Sequence, residues 1–266
     1  MVERIVKFGQ YKNLVGIITK PEIERGKLPV IIFLNSGMVP MLGPNRLHVS
    51  MARKMTEIGF TSLRFDFAGV GNSTIIKSRD FEESAINDAM LAMDMLESTE
   101  HTRFFVLIGI CSGGDIAMKT ALVDERIIGL ISVNGVYFDK KVYQELLANN
   151  GSREYLTMIP VIVSNAVRYL INKITNIREN DALIAPVLDL LNKEIDLFLI
   201  YSEGSYRLSM VKKTILYKLI EFREKRLINL NVFHQIDSMF TPIWSQNKLI
   251  EITCKWLELR YKNDSK

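Results

Sequence analysis

One segment of this chain carries the residue types and spacing for covalent chemistry: Gly109-Ile-Cys-Ser-Gly113. The apolar run Phe104 to Ile108 before it reads as a buried parallel strand, and Asp115 to Val123 after it reads as a helix. Gly-x-nucleophile-x-Gly between a strand and a helix is a nucleophile elbow, here with cysteine where serine is commoner. Glycines are needed because the turn is so tight that a β-carbon at either flank would meet neighbouring backbone. The turn lifts the Cys111 side chain above the sheet, to the N-terminus of the next helix, where unpaired amides and the positive dipole end favour a thiolate. A cysteine at such a turn can also be a small, inert apolar residue. Gly109, Gly113 and Gly114 around it, and the apolar strand before it, favour the reactive reading.

The elements that must position this turn alternate along the chain, the signature of a mostly parallel sheet covered by helices. Arg4–Phe8 and Leu14–Thr19 read as an opening hairpin, and Val30–Leu34 as a fully buried strand. Leu47–Ile58 reads as a helix ending at Gly59, Phe60–Phe65 as a strand, and Phe81–Glu97 as a helix with one buried face. Ile127–Val133, Asp196–Tyr201 and Ile228–Phe233 are further strands, while Leu208–Glu224 and Trp244–Tyr261 are helices. Between Tyr137 and Asn192 the pattern is helical, with Gly151 and Pro160 as breakers, and far longer than an ordinary connection. The division expected is a core over residues 1–136 and 193–266, with a helical cap over 137–192 lying above the carboxyl ends of the strands. In that cap Tyr155, Met158, Tyr169 and Leu170 suggest an apolar substrate pocket.

At 266 residues, 48% apolar and 24% charged, the chain has the composition of a soluble globular protein able to build its own core. Its two cysteines, Cys111 and Cys254, offer no disulfide framework, and Cys254 shares a helix face with Ile250 and Leu257. No secretory signal and no apolar run of membrane-spanning length is read, so a cytoplasmic protein is expected. A formal charge of +4 without a basic arm or an aromatic-basic array argues against a nucleic-acid role. No metal cluster or phosphate-binding glycine loop is read, and no cofactor is expected.

With the elbow and this order of elements, the chain resembles the α/β-hydrolase superfamily. Two segments narrow the likeness to bacterial hydrolases related to the serine aminopeptidase group and the exosortase-associated hydrolases, in which a Cys-Ser-Gly elbow is usual. Leu34-Asn-Ser-Gly-Met-Val-Pro-Met-Leu-Gly-Pro-Asn-Arg46 is similar to their strand-to-helix loop. Leu63-Arg-Phe-Asp-Phe-Ala-Gly-Val-Gly-Asn-Ser73 is similar to their Arg-Phe-Asp-x-x-Gly-x-Gly-Asp-Ser, with Asn72 in place of the last aspartate. The resemblance implies an α/β-hydrolase fold: a mostly parallel central sheet flanked by helices, with the cap inserted. It implies an oxyanion hole made by the backbone N–H groups of Ser112 and of Met38 or Gly37. Arg46, Asp66 and Ser73 are read as scaffolding for these loops.

The likeness breaks at the other two catalytic positions. The family acid follows the strand matching Asp196–Tyr201; this chain has Ser202-Glu-Gly-Ser205, with Ser205 at the aspartate position. The family histidine lies in Asp-His-x-Phe; this chain has Asp237-Ser-Met-Phe240, with Ser238 at the histidine position. Of the three histidines, His101 precedes the elbow strand, at the far end of the sheet, and His48 begins a helix from which it could approach the cleft. His234, with Glu203 as its acid, is the remaining candidate base for Cys111.

These residues suggest a thiol-dependent acyl hydrolase or acyltransferase that works on an ester or thioester through an acyl-cysteine. Loss of the histidine should harm hydrolysis, which needs an activated water, more than exchange between thioester and thiol. An acyl or aminoacyl shuttle between carrier proteins fits that bias. The basic run Lys212, Lys213, Lys218, Arg223, Lys225 and Arg226 could receive an acidic carrier protein, though such a run is commonly a solvated helix face. The other class is a decayed enzyme kept as a binding or scaffold protein. A retained elbow favours the enzyme; Ser205 and Ser238 favour the scaffold.

Overall fold

The computed structural model describes residues 1–22, 28–76, 80–135, 186–203 and 227–262. Their strands are β1 (Val2–Phe8), β2 (Leu14–Lys20), β3 (Val30–Leu34), β4 (Ser62–Phe65), β5 (Phe105–Ile110), β6 (Ile127–Val133), β7 (Asp196–Ser202) and β8 (Ile228–Phe233). They form one sheet in the order β1-β2-β4-β3-β5-β6-β7-β8. β2 runs antiparallel to both β1 and β4, and every other pairing is parallel. The elbow strand β5 therefore sits in the interior of the sheet, between β3, which leads into the loop expected to form an oxyanion hole, and β6.

Period-two alternation along the buried strands divides the core into two layers. Ile32 and Leu34 of β3 join Leu107 of β5 in one apolar cluster with α2 (Phe81–Glu100) and α3 (Ser112–Val123). Ile31 and Phe33 join Val106, Ile108 and Ile110 in the other, with α1 (Leu47–Glu57) and α4 (Ile243–Tyr261). A short helical stretch at residues 186–192 packs Val187, Leu190 and Leu191 into the first layer. The Asp80 side chain starts α2 by accepting from the Glu82 amide at 3.2 Å, relieving one of the orphan donors of a first turn.

Most boundaries shift by one to three residues from the sequence expectation, and the two that matter lie at the elbow. β5 continues through Gly109 and Ile110, because Gly109 pairs with Leu34 on one side and Ser132 on the other. α3 begins at Ser112 rather than Asp115, so the turn consists of Cys111 alone. Gly113 and Gly114 are poor helix formers, and packing overrides that preference: a methyl group on Gly113 would stand 2.6 Å from the Asn35 carbonyl oxygen. The expected cap, apart from its last turn at residues 186–192, lies outside the described residues, as do Ser205, the helix expected over Leu208–Glu224 and the basic run from Lys212 to Arg226. No helix among the described residues is long and apolar enough to cross a membrane.

Candidate active site

Cys111 takes φ 51° and ψ −120°, a left-handed conformation rare for a residue with a side chain. Strain of this kind costs about 1–3 kcal/mol and persists only where the surroundings enforce it. Here its amide donates to the Val133 carbonyl at 2.8 Å, and its own carbonyl accepts from the amides of Gly114 at 3.0 Å and Asp115 at 3.3 Å. A methyl group on Gly109 would collide with the Gly113 backbone, so strand and helix approach as closely as two backbones can. Of the first-turn donors of α3, those of Ser112 and Gly113 remain without a backbone acceptor among the described residues. Cys111 is partly buried against the α1–α4 layer.

The oxyanion loop faces this helix start. Ser36 accepts from the Val39 amide at 3.1 Å, which closes a turn around Gly37 and Met38. Gly37 has φ +57°, and a methyl group placed on it would lie 3.6 Å from the Ser112 hydroxyl oxygen, so Gly37 and Ser112 are neighbours across the cleft. Met38 follows and is 69% exposed. The loop is held from below by Asn35 and Asp66, both fully buried. Asn35 donates to the Val39 carbonyl at 2.8 Å and accepts from the Phe67 amide at 2.8 Å. The Asp66 carboxylate accepts from the amides of Met41 at 2.6 Å and Asn72 at 3.0 Å, and the Ser73 hydroxyl donates to the Asp66 carbonyl at 2.6 Å. Asp66 and Ser73 thus join the oxyanion loop to the turn after β4. Arg46 stands on the same loop in a left-handed conformation, φ 61°.

His234 and Glu203 come together. His234 Nδ1 is 3.4 Å from a Glu203 carboxylate oxygen, which also accepts from the Gln235 amide at 3.0 Å. Both side chains are largely exposed, 70% and 51%. They leave the sheet at the ends of β8 and β7, three and two strands from β5 in the sheet order, which at about 4.8 Å per strand is a lateral offset of about 14 and 10 Å.

What returns toward Cys111 is the loop after β8. Asn134, at the end of β6, donates to the Ser238 carbonyl at 3.0 Å while its own amide oxygen accepts from the Ser202 amide at 2.8 Å. Asn45 of the oxyanion loop donates to the neighbouring Met239 carbonyl at 3.2 Å. The Asp237 carboxylate folds the loop on itself by accepting from the amides of Met239 and Thr241; these donors hold its pKa below the ordinary carboxylate value although burial opposes them. Sequence reading missed Asn134 and Asn45 as anchors, because their partners lie 104 and 194 residues away.

The other two histidines do not enter the site. His48 is 1% exposed, its ring 5.2 Å from Phe33, and burial, with the charge of Arg64, pushes its pKa down to about 3. It is a neutral core residue beneath α1 and does not approach the cleft. His101 caps the far end of α2, ahead of β5. Among the described residues no cluster of three or more histidine, cysteine or carboxylate side chains could hold a metal.

No family model matches the sequence, and no curated protein matches it. Solved structures do. A putative α/β hydrolase from Agrobacterium tumefaciens is 15% identical at TM-score 0.59, with 99% of this chain and 98% of that one covered. A dienelactone hydrolase from Anabaena variabilis is 13% identical at TM-score 0.61, with 98% of each chain covered. An esterase of Pyrococcus furiosus is 16% identical at TM-score 0.62, with 98% of this chain and 91% of that one covered. At these identities the likeness concerns the backbone, and with the strand order it establishes that this chain has the α/β-hydrolase fold.

Proposed function

We propose that the protein is a thiol-dependent acyl-transfer enzyme that takes an acyl group from an ester or thioester onto Cys111. The observation that carries this reading is the strained Cys111 at the start of α3, with the Ser112 amide lacking a backbone acceptor among the described residues and Gly37 close to the Ser112 hydroxyl. In the first step the thiolate pair forms a sulfur–carbon bond and the carbonyl π pair moves onto oxygen. The Ser112 N–H and the N–H of Gly37 or Met38 donate to that oxyanion. Each such donor contributes about 3 kcal/mol by binding the developing charge more strongly than the neutral carbonyl. Collapse restores the carbonyl and expels the donor's thiolate or alkoxide, which takes a proton from water, leaving acyl-Cys111. A hydrolase name attached to two of the similar structures supports acyl chemistry at this fold.

Deacylation divides hydrolysis from transfer. Water needs a base beside the acyl carbon, whereas a second thiol is already partly ionised near neutral pH. His234 leaves the sheet three strands from β5 and Glu203 two, and Ser238 lies on the loop whose carbonyl is held by Asn134 at the end of β6. The proposed activity is therefore transfer to a thiol acceptor, with hydrolysis as a slow side reaction. Ser238 also supports a second reading, a binding protein on a decayed hydrolase fold. Intact-protein mass spectrometry after brief exposure to activated acyl thioesters tests the two. A mass increment that requires Cys111, absent from Cys111→Ala and discharged faster by an acceptor thiol than by buffer, is expected. A folded protein that takes no increment from any donor refutes the enzyme reading.

A further inference from the structure

We propose that the Ser112 hydroxyl is a third donor to the oxyanion, in addition to the Ser112 amide; this rests on Cys111 being the acyl-accepting nucleophile. Ser112 is the first residue of α3, immediately after the strained cysteine. Its side chain is half-buried, and its hydroxyl has no hydrogen-bond partner among the described residues. It points to the oxyanion loop: its oxygen lies 3.6 Å from a methyl group placed on Gly37, and apart from Gly37 and its chain neighbours no other heavy atom of the described residues lies within 4 Å of that methyl group. The space between Ser112 Oγ and the Gly37 backbone is where the carbonyl oxygen of a substrate on Cys111 must sit to reach both predicted amides.

The neighbouring polar groups are already committed. Both ends of the Asn35 amide are engaged, with Val39 and Phe67, and the Asp66 carboxylate is an acceptor taken up by Met41 and Asn72. The Ser112 hydroxyl can therefore rotate toward the cleft without breaking a native hydrogen bond. In the tetrahedral state the O–H donates to the oxyanion without transferring its proton, and it is released when the carbonyl re-forms. A hydroxyl that prefers the charged oxygen to the neutral one lowers the barrier and leaves ground-state binding almost unchanged.

The test compares two reactions of the same thiol in wild type, Ser112→Ala and Ser112→Thr. Acylation by a small acyl thioester passes through an oxyanion; alkylation by iodoacetamide displaces iodide at a saturated carbon and does not. Ser112→Ala is expected to slow acylation of Cys111 by tenfold or more, in keeping with oxyanion donors generally (about 10²-fold for a strong one). Alkylation should stay within about twofold, and Ser112→Thr, which keeps the hydroxyl, should restore acylation. Equal losses in both reactions would mean that the substitution displaces the thiol and would overturn the inference, as would acylation by Ser112→Ala at the wild-type rate. A wild type that is alkylated but never acylated refutes the nucleophile reading itself, and the inference with it.

Discussion

Replacing Ser238 by histidine should convert slow discharge of acyl-Cys111 into hydrolysis. The bonds that fix this loop run to the backbone carbonyls of Ser238 and Met239 and to the Asp237 carboxylate, and none of them uses the Ser238 side chain. The substitution therefore leaves the anchors in place. Asn134 ties Ser238 to the end of β6, one strand from Cys111, so the new imidazole starts about 4.8 Å of lateral spacing from β5, where His234 starts about 14 Å away. General-base catalysis is worth about 10²–10⁴-fold. Without a fixed acid to orient the ring, the low end applies: roughly 10²-fold, or about 2.7 kcal/mol of barrier. The assay is the decay of preformed acyl-Cys111 in buffer, followed by intact mass through the imidazole range, about pH 6.5. Decay should accelerate as pH rises through that range in Ser238→His and not in wild type, while His234→Ala should change neither acylation nor decay more than about twofold. Unaltered decay in folded Ser238→His would refute the placement of the loop, and a large loss in His234→Ala would refute the strand-spacing argument.

Three further outcomes follow from the same contacts. Asp66→Ala removes the acceptor for the Met41 and Asn72 amides; each orphaned buried donor costs about 1–3 kcal/mol, so a lowered melting temperature and slower Cys111 acylation are expected together. His48 is neutral in the fold, with a pKa near 3 against an ordinary 6.5, so the unfolded chain binds its proton first as pH falls. Stability should thus be unaffected by His48 above about pH 6.5 and decline below it at about 1.4 kcal/mol per pH unit, about 2 kcal/mol by pH 5, a slope that His48→Gln should flatten in denaturant titrations. Cys254 is 7% exposed and its thiol is pushed up to about 12, chiefly by burial. Brief iodoacetamide treatment near neutral pH should therefore modify Cys111 alone in the native protein and both cysteines in denaturant; native labelling at Cys254 would contradict its place in the core.

The elbow was legible because its determinants are contiguous. An apolar run, closely spaced glycines and a nucleophile between them can form only a tight strand-to-helix turn, and β3, β6 and β8 likewise start and end where their apolar runs do. The boundary differences at the elbow have one cause: Gly109, Gly113 and Gly114 look like breakers in sequence, yet here they let a strand and a helix touch, so both elements extend to Cys111. The oxyanion loop was legible only by resemblance. Its support by Asp66 could be anticipated, whereas the buried polarity of His48 could not, since a histidine opening an amphipathic helix carries no mark of which layer it enters.

By itself, then, the sequence determined the elbow turn, the cysteine it carries and the alternation of elements that builds a sheet around it, because these depend on near neighbours and on hydrophobic period. Only the tertiary structure decided which residues share the cleft. Strand order places His234 at the end of the edge strand β8 and Glu203 at the end of β7, while Asn134 holds the Ser238 carbonyl at the end of β6. Distances across a sheet accumulate by strands crossed and not by residues counted, so the strand end that carries a residue decides its neighbours more than its offset along the chain does.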